Sequence, residues 1–316
     1  MSWLLCSQVG GEMKLSTFEV FKSLKSNNYG IKVEGDTLKK CQKVILGIAE
    51  DVISICEKEN IWYELGGGTA LGAIRHQGFI PWDDDIDINI LGKDFELLKE
   101  KVYEYYGNKY TFLDYSVSDY GLAMGKVMLN NTVFRDRESY GSDNCGFFID
   151  LFLVENVPDN PLIRKVHGTL CMISGGLLSC RKFYKNRKFL LDLTKEDPEV
   201  RKTVNTKIRI GRLISFLSVS KCAAITDGIY GWCKNDESKY VSIPSGRKHY
   251  FGGMYKRDLL LSTEEAMFEG HKWMVVKKYS EYFMNLYGPK YMELPPEEKR
   301  EHHVLLELKF PENTEE

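Results

Sequence analysis

The stretch Gly66-Gly67-Gly68-Thr69-Ala70-Leu71-Gly72-Ala73-Ile74-Arg75, followed beyond Gly78 and Pro81 by Trp82-Asp83-Asp84-Asp85-Ile86-Asp87-Ile88-Asn89-Ile90, decides how this chain is read. Just ahead of it, Ile61-Trp62-Tyr63-Glu64-Leu65 is a β-prone run, so the order is strand, glycine turn, helix, with Thr69 available as the helix cap. Ile86 to Ile90 alternates apolar with polar as a half-buried strand does. In an extended chain Asp83, Asp85 and Asp87 project to one face. Such a row repels itself unless it is solvated, as in an acidic surface turn, or neutralised by a cation. Hard carboxylate oxygens suit Mg²⁺ or Mn²⁺. The flanking Trp82, Ile86, Ile88 and Ile90 favour a strand end set into a core, and with it the metal.

The glycines match neither familiar phosphate fingerprint. Leu71 stands where G-x-G-x-x-G needs its third glycine, and Ala73 follows Gly72 where a P-loop needs Lys. What remains is a turn that lets the backbone approach a phosphate at a helix N-terminus. Any tight strand-to-helix turn uses glycines, so the neighbouring acidic row is what makes this one informative. Asp150 is the other unusual carboxylate, lying inside Phe147-Phe148-Ile149-Asp150-Leu151-Phe152-Leu153. Ionised in a buried strand it needs a cation or a basic partner. It is read either as a third carboxylate meeting Asp85 and Asp87, able to bind metal or take a proton, or as half of a structural salt bridge.

Further out, Leu38, Cys41, Ile45, Ile48, Val52 and Ile55 recur at helical spacing and predict an amphipathic helix over 37–58. A helix over 93–106 and strands near 110–113, 122–129 and 147–154 complete a mixed sheet with flanking helices, an α+β fold. Residues 160–235 carry basic and apolar residues at loosely helical spacing, 240–260 read as short strands or loops, and a helix is expected near 277–286. The chain thus divides into an N-terminal extension (1–35), a core (36–158), a helical elaboration (159–260) and a C-terminal segment packed on the core (261–316).

Composition narrows the function classes. The 316 residues are 43% hydrophobic, enough for a substantial core. A net charge of −2 offers no global field for nucleic acid, which is excluded as a partner, or for an anionic surface. Eight scattered cysteines show no zinc spacing, and several sit in apolar runs, as free thiols do in a reducing compartment. With no signal-peptide pattern at the N-terminus, a cytoplasmic location is expected. Gly168 to Cys180 lacks charge over a span shorter than the roughly 20 residues that cross a bilayer, and is read as a core helix. The basic residues after it, Arg181, Lys182, Lys185, Arg187 and Lys188, leave room for peripheral contact at the inner face of a membrane carrying a lipid-linked substrate.

The unbroken run Gly67 to Ile88 resembles the signature of the LicD family, within the nucleotidyltransferase superfamily, which also takes in the relatives of fukutin-related protein. The resemblance extends to Asn131-Thr132, Phe148-Ile149-Asp150-Leu151-Phe152, Phe268-Glu269-Gly270, Leu286-Tyr287-Gly288 and Leu294-Pro295-Pro296. It departs at Leu153-Val154-Glu155 and at Lys277-Lys278. It implies a nucleotidyltransferase-type core and transfer of phosphocholine from CDP-choline, or of a related polyol phosphate, onto a sugar hydroxyl of a surface glycan or its lipid-linked precursor. By the same resemblance Asp85 and Asp87 bind Mg²⁺ (or Mn²⁺) on the donor diphosphate, Asp83 assists, and Asp150 is third ligand or base. Gly67, Gly68 and Thr69 hold the phosphates. Residues 159–260 are read, apart from the resemblance, either as an acceptor-binding lobe or as helices packed on the catalytic sheet.

A diphosphate then calls for basic residues, and Arg75, Lys126 and Arg135 are the candidates, each readable equally as a surface charge. The resemblance also brings His302 and His303 near the site, although a solvated tail would look the same. A choline headgroup would need aromatic walls, for which Trp82, Tyr140, Trp232, Tyr250, Phe251 and Tyr255 are available. Two rivals use the same carboxylates differently: a nucleotidyltransferase moving NMP from an NTP with release of pyrophosphate, and an inactive binding protein that keeps the fold.

Overall fold

The computed structural model describes residues 30–117, 121–136, 139–297, 300 and 304–312. A short strand β1 (Ile31–Lys32) precedes helix α1 (Gly35–Lys58), whose buried face carries Leu38, Cys41, Ile45, Ile48, Val52 and Ile55. β2 (Tyr63–Leu65), α2 (Gly67–His76) and β3 (Asp87–Leu91) form the strand, turn, helix, strand unit. Then come α3 (Phe95–Tyr106), β4 (Tyr110–Leu113), β5 (Gly125–Leu129), β6 (Val133–Asp136) and the ten-residue β7 (Phe148–Val157). Four helices follow, α4 (Pro161–Lys185), α5 (Arg187–Leu193), α6 (Pro198–Leu213) and α7 (Val219–Tyr230). The chain continues through β8 (Tyr240–Ser242), α8 (His249–Gly252), β9 (Met254–Lys256) and α9 (Arg257–Leu261). The hairpin β10 (Thr263–Phe268) and β11 (His271–Val276), helix α10 (Tyr279–Tyr287) and β12 (Val304–Lys309) complete it.

The fold is α+β. Its main sheet runs β2-β3-β7-β5-β4, with β8 and β9 added through the far half of β7. Only β3 and β7 among these pairs are parallel. β7 is central and nearly continuous in apolar residues, as a strand covered on both faces must be. α1 and α3 pack with this sheet in one core that reaches Phe268, Trp273 and Phe283 from the C-terminal segment. The helices α4 to α7 build smaller cores of their own, around Cys171, Leu178, Ala223 and Tyr230 and around Phe183, Leu190, Val200 and Val204.

Two sequence readings of the fold change. Thr69 does not cap a helix: α2 starts earlier, at Gly67, with Gly66 as a cap that offers no side chain, and the Thr69 hydroxyl accepts from the backbone N–H of Asp87 (2.9 Å). Gly168 to Cys180 is helical but not wholly core. His167, Cys171, Ser174 and Leu178 face inward, while Leu170, Ile173 and Leu177 face out. The β10–β11 hairpin, outside the sequence reading, turns through Glu269 and Gly270, both at positive φ, the pattern of a two-residue hairpin loop. That turn locks the loop after α2, because Glu269 N–H donates to the Gln77 carbonyl (3.0 Å) and Glu269 Oε1 accepts from Phe79 N–H (3.0 Å).

The seven described cysteines are free and six of them are buried, with desolvation pushing the thiols of Cys41, Cys56 and Cys171 up to about 12. No described helix is long and apolar enough to cross a membrane.

Glu64 lies fully buried in β2, opposite Asn89 of β3, whose Nδ2 donates to its Oε1 (2.6 Å). Asn89 in turn fills the space under Gly66, where a Cβ would fall 3.0 Å from its Oδ1. Burial raises the Glu64 carboxyl to about 8, against a smaller opposing effect of the Asn89 hydrogen bond. The folded state therefore holds a proton that the unfolded chain releases near 4.5, so this group's contribution to stability falls as pH rises from about 4.5 to about 8. The loss is roughly 4 kcal/mol. Chemical denaturation of wild type and Glu64→Gln between pH 5.5 and 8.5 should show the variant gaining steadily on wild type as pH rises; parallel curves would rule this out.

Candidate active site

The parallel register of β3 with β7 sets Asp87 directly beside Asp150, and the antiparallel register of β7 with β5 sets Asp150 beside Lys126. Residues paired laterally across a sheet share a face. One row thus reads Asp87, Asp150, Lys126. Lys126 Nζ lies 3.2 Å from Asp150 Oδ1, and both side chains are largely buried. The same ammonium sits 3.5 Å from the Phe148 ring centroid. Asp150 is thereby paired with a basic group, as one of its two sequence readings required, and stands in the acidic row, as the other required.

Upstream of β3, residues 83–86 belong to no strand, yet burial still alternates. Asp83, Asp85 and Asp87 share the more open side, while Asp84 turns inward and is buried. The segment is pinned from several directions. Gln42 Nε2 donates to the Asp83 carbonyl (2.8 Å), Gly66 N–H to the Asp87 carbonyl (2.8 Å), and Asp150 N–H to the Ile86 carbonyl (2.9 Å). Burial first, then the charges of Asp85, Asp84 and Asp87, push the Asp83 carboxyl well above the usual carboxylate range.

The glycine turn lies against these carboxylates. Gly67 has a φ of +45°, and a Cβ there would fall 3.0 Å from Asp87 Oδ2 and 3.6 Å from the Tyr287 hydroxyl. At Gly68 a Cβ would fall 3.2 Å from Asp83 Oδ2. Both carboxylates thus reach the backbone at the start of α2. Among the described residues no three His, Cys, Asp or Glu side chains converge as a ready-made metal cluster. The donor set is nevertheless all hard oxygen, its charges crowd, and the glycines leave a cradle beside it, a chemistry that would suit Mg²⁺ or Mn²⁺.

The other candidates disperse. Arg75, on α2, gives Nη1 to the carbonyls of Tyr291 (2.8 Å) and Glu293 (3.3 Å), tying the C-terminal segment to the turn helix, while its charge still reaches Asp83. Arg135 belongs to the separate sheet β1-β12-β6, where it binds Glu307 (3.1 Å) and the Ser142 carbonyl. Trp82 is half-buried, with Arg300 stacked 4.5 Å over its ring. His302 and His303 lie outside the described residues. The aromatic candidates do not form one box. Tyr140 stacks on Phe189, Tyr250 touches His167 and Phe251, Trp232 also meets His167, and Tyr255 packs on Tyr282.

Sequence reading missed two tyrosines and an arginine. The Tyr282 hydroxyl accepts from Gly67 N–H (3.2 Å), and Tyr287, from the same helix α10, places its hydroxyl by Gly67. Burial first, then Asp87 and Asp83, raise Tyr287 above its ordinary range, and the charge of Arg247 opposes them. Arg247 is exposed on the loop before α8 and is thus a cation near the turn. The Leu286-Tyr287-Gly288 motif was the available signal for the tyrosine; nothing in the spacing singled out Arg247.

The family profile described as "LicD/FKTN/FKRP, nucleotidyltransferase domain" matches residues 60–165, the segment that carries the glycine turn, the acidic row and Asp150. The chain is 30% identical over 279 residues to the lipopolysaccharide cholinephosphotransferase LicD of Haemophilus influenzae, covering 85% of this chain and 96% of that protein. This chain belongs to the LicD family. It is an enzyme of the LicD phosphotransferase type. Over a shorter stretch of 54 residues it is 39% identical to the human ribitol 5-phosphate transferase FKRP, which is 17% of this chain and 11% of that one. A 47-residue segment is 49% identical to an uncharacterized protein of Rickettsia prowazekii, RP689, covering 15% of this chain and 18% of that one.

Gly67→Ala tests the cradle. A left-handed alanine costs about 1–2 kcal/mol, and its methyl would press on Asp87. The variant should lose a few degrees of thermal midpoint but nearly all CMP binding by calorimetry; CMP affinity equal to wild type would remove the turn from the site.

Proposed function

We propose that this enzyme transfers a phosphorylated alcohol, phosphocholine in the first instance, from a CDP-linked donor to a sugar hydroxyl of a cell-surface glycan or its lipid-linked precursor, releasing CMP. The observation that carries this reading is the likeness to the lipopolysaccharide cholinephosphotransferase along 96% of that protein's length, combined with the Asp87, Asp150, Lys126 row. A divalent metal, Mg²⁺ or Mn²⁺, held by Asp85, Asp87 and Asp150 with Asp83 beside them, would neutralise charge on the donor diphosphate and on departing CMP.

The chain's own groups do the rest. The N–H groups of Gly68 and Thr69 at the start of α2 face the phosphates with a favourable helix dipole, while Gly67, its own N–H given to Tyr282, keeps the turn open by lacking a side chain. Lys126 and Arg247 supply positive charge on two sides. The acceptor oxygen attacks the phosphorus distal to cytidine, in line with the bridging oxygen of CMP. The new O–P bond forms as the old one breaks, and CMP leaves with the bonding pair. Asp150 takes the hydroxyl proton, and Lys126 beside it holds the carboxylate in place. Most of the rate comes from positioning and charge neutralisation.

Phosphorus NMR with CDP-choline, CDP-ribitol, CDP-glycerol and CTP in separate reactions, with Mg²⁺ or with chelator, tests the reading. CMP release from one CDP-linked donor is expected, abolished by chelator and lowered about 100-fold or more in Asp87→Asn. Pyrophosphate from CTP would assign the chain to NMP transfer instead. CMP release that persists in chelator would remove the metal.

A further inference from the structure

Helix α4 has two unlike faces. Toward the protein it presents His167, Gly168, Cys171, Ser174 and Leu178, packed on α7 and on Tyr250. Away from it, Leu162, Val166, Leu170, Ile173 and Leu177 recur at steps of four, four, three and four, all exposed, with Ile163 beside them. This spacing makes one stripe along the helix, roughly 23 Å long at 1.5 Å per residue. Between Leu162 and Leu177 the exposed positions carry a single charge, Lys165. The stripe continues in character at its far end. Arg181 Nε holds the Leu217 carbonyl (2.8 Å), and a Cβ on Gly211 would press on Cys180, so the turn between α6 and α7 sits there. The last residue of α6, Leu213 (78%), and Phe216 (80%) in the turn are exposed there. An apolar surface of this extent marks a docking site.

Charge identifies what docks. Residues 160–226 contain fourteen Lys and Arg against four Asp and Glu, whereas the rest of the chain holds 29 against 41. Lys165, Lys185, Lys188, Arg212 and Lys221 of this set are exposed. The net charge of −2 therefore hides a strongly basic helical layer on an acidic remainder. A second copy packed face to face would bring two such layers together and repel. An anionic bilayer would attract the basic rim while its acyl boundary received the leucines and phenylalanine.

We propose that α4 is an in-plane membrane helix: its Leu162 to Leu177 stripe, extended by Leu213 and Phe216, seats this enzyme peripherally on an anionic lipid surface. Such seating would present the site to an acceptor carried by that membrane. The inference rests on this helical layer and not on the chemistry of the Asp87 row, so binding without turnover tests it separately.

The test is sedimentation of the full chain with phosphatidylcholine vesicles, with or without about a third phosphatidylglycerol, alongside Leu170→Glu/Ile173→Glu and Lys165→Glu/Lys188→Glu. Wild type should bind the anionic vesicles, with affinity falling as salt rises. The first variant should lose binding while keeping its thermal midpoint, since both positions are exposed. The second should weaken it roughly fivefold per lysine replaced. Wild type that stays in the supernatant, or a first variant that binds undiminished, would overturn the proposal. So would a dimer in analytical ultracentrifugation that the first variant dissolves, which would give the face to a second copy.

Discussion

The parallel pairing of β3 with β7 is the constraint on which the candidate site depends. Five consecutive residue pairs, from Asp87 with Asp150 to Leu91 with Val154, hold the two strands in register. A slip of one residue would turn Asp150 to the opposite face and send Leu151 into its place. The register is protected because Ile88, Ile90, Leu151 and Leu153 are buried on these same strands. Apolar packing thus places two carboxylates side by side, an arrangement that charge alone would oppose. Lys126, delivered by the next strand, offsets part of that repulsion. The glycine turn is then fixed relative to the row, since Gly66 and Thr69 both bond to the backbone of Asp87.

Much of this was legible in the sequence because it is local. The α1 stripe, the β2, turn, α2, β3 order and the alternation of the aspartates all depend on residues within a few positions of one another. The α+β class followed from those periods. What stayed hidden is long-range. Tyr282 and Tyr287 reach Gly67 from more than 200 residues away, and no period connects them. Arg135 reads like any basic strand residue until β12 brings Glu307 beside it. The β10–β11 hairpin was obscured because only Phe268, Trp273, Val275 and Val276 of its residues are buried, so its apolar alternation is weak, although Glu269-Gly270 marks the turn. Thr69 was misjudged for a related reason. A threonine near a helix start is by habit a cap, but here β3 offers its hydroxyl a backbone donor that sequence cannot show.

The helical layer illustrates the limit of reading hydrophobicity as core. Gly168 to Cys180 lacks charge, yet half of that helix faces outward. Cys171, Ser174 and Leu178 face the protein, where the helix packs on α6 and α7, leaving Leu170, Ile173 and Leu177 on the other side. The same layer holds most of the chain's local positive excess, which the overall balance of charges conceals. Catalytic and helical parts are joined through β7, whose first half pairs with β3 and β5 and whose last residues pair with β8.

In the proposed function, Asp85, Asp87 and Asp150 would hold a divalent metal beside a nucleotide phosphate. Electron paramagnetic resonance of Mn²⁺ titrated into the protein, with and without CMP, tests it without any acceptor. About one bound Mn²⁺ is expected in wild type, tighter with CMP, and affinity reduced by more than about tenfold in both Asp87→Asn and Asp150→Asn. Wild-type protein that leaves Mn²⁺ free in the presence of CMP, or variants that bind it unchanged, would remove the metal from these carboxylates.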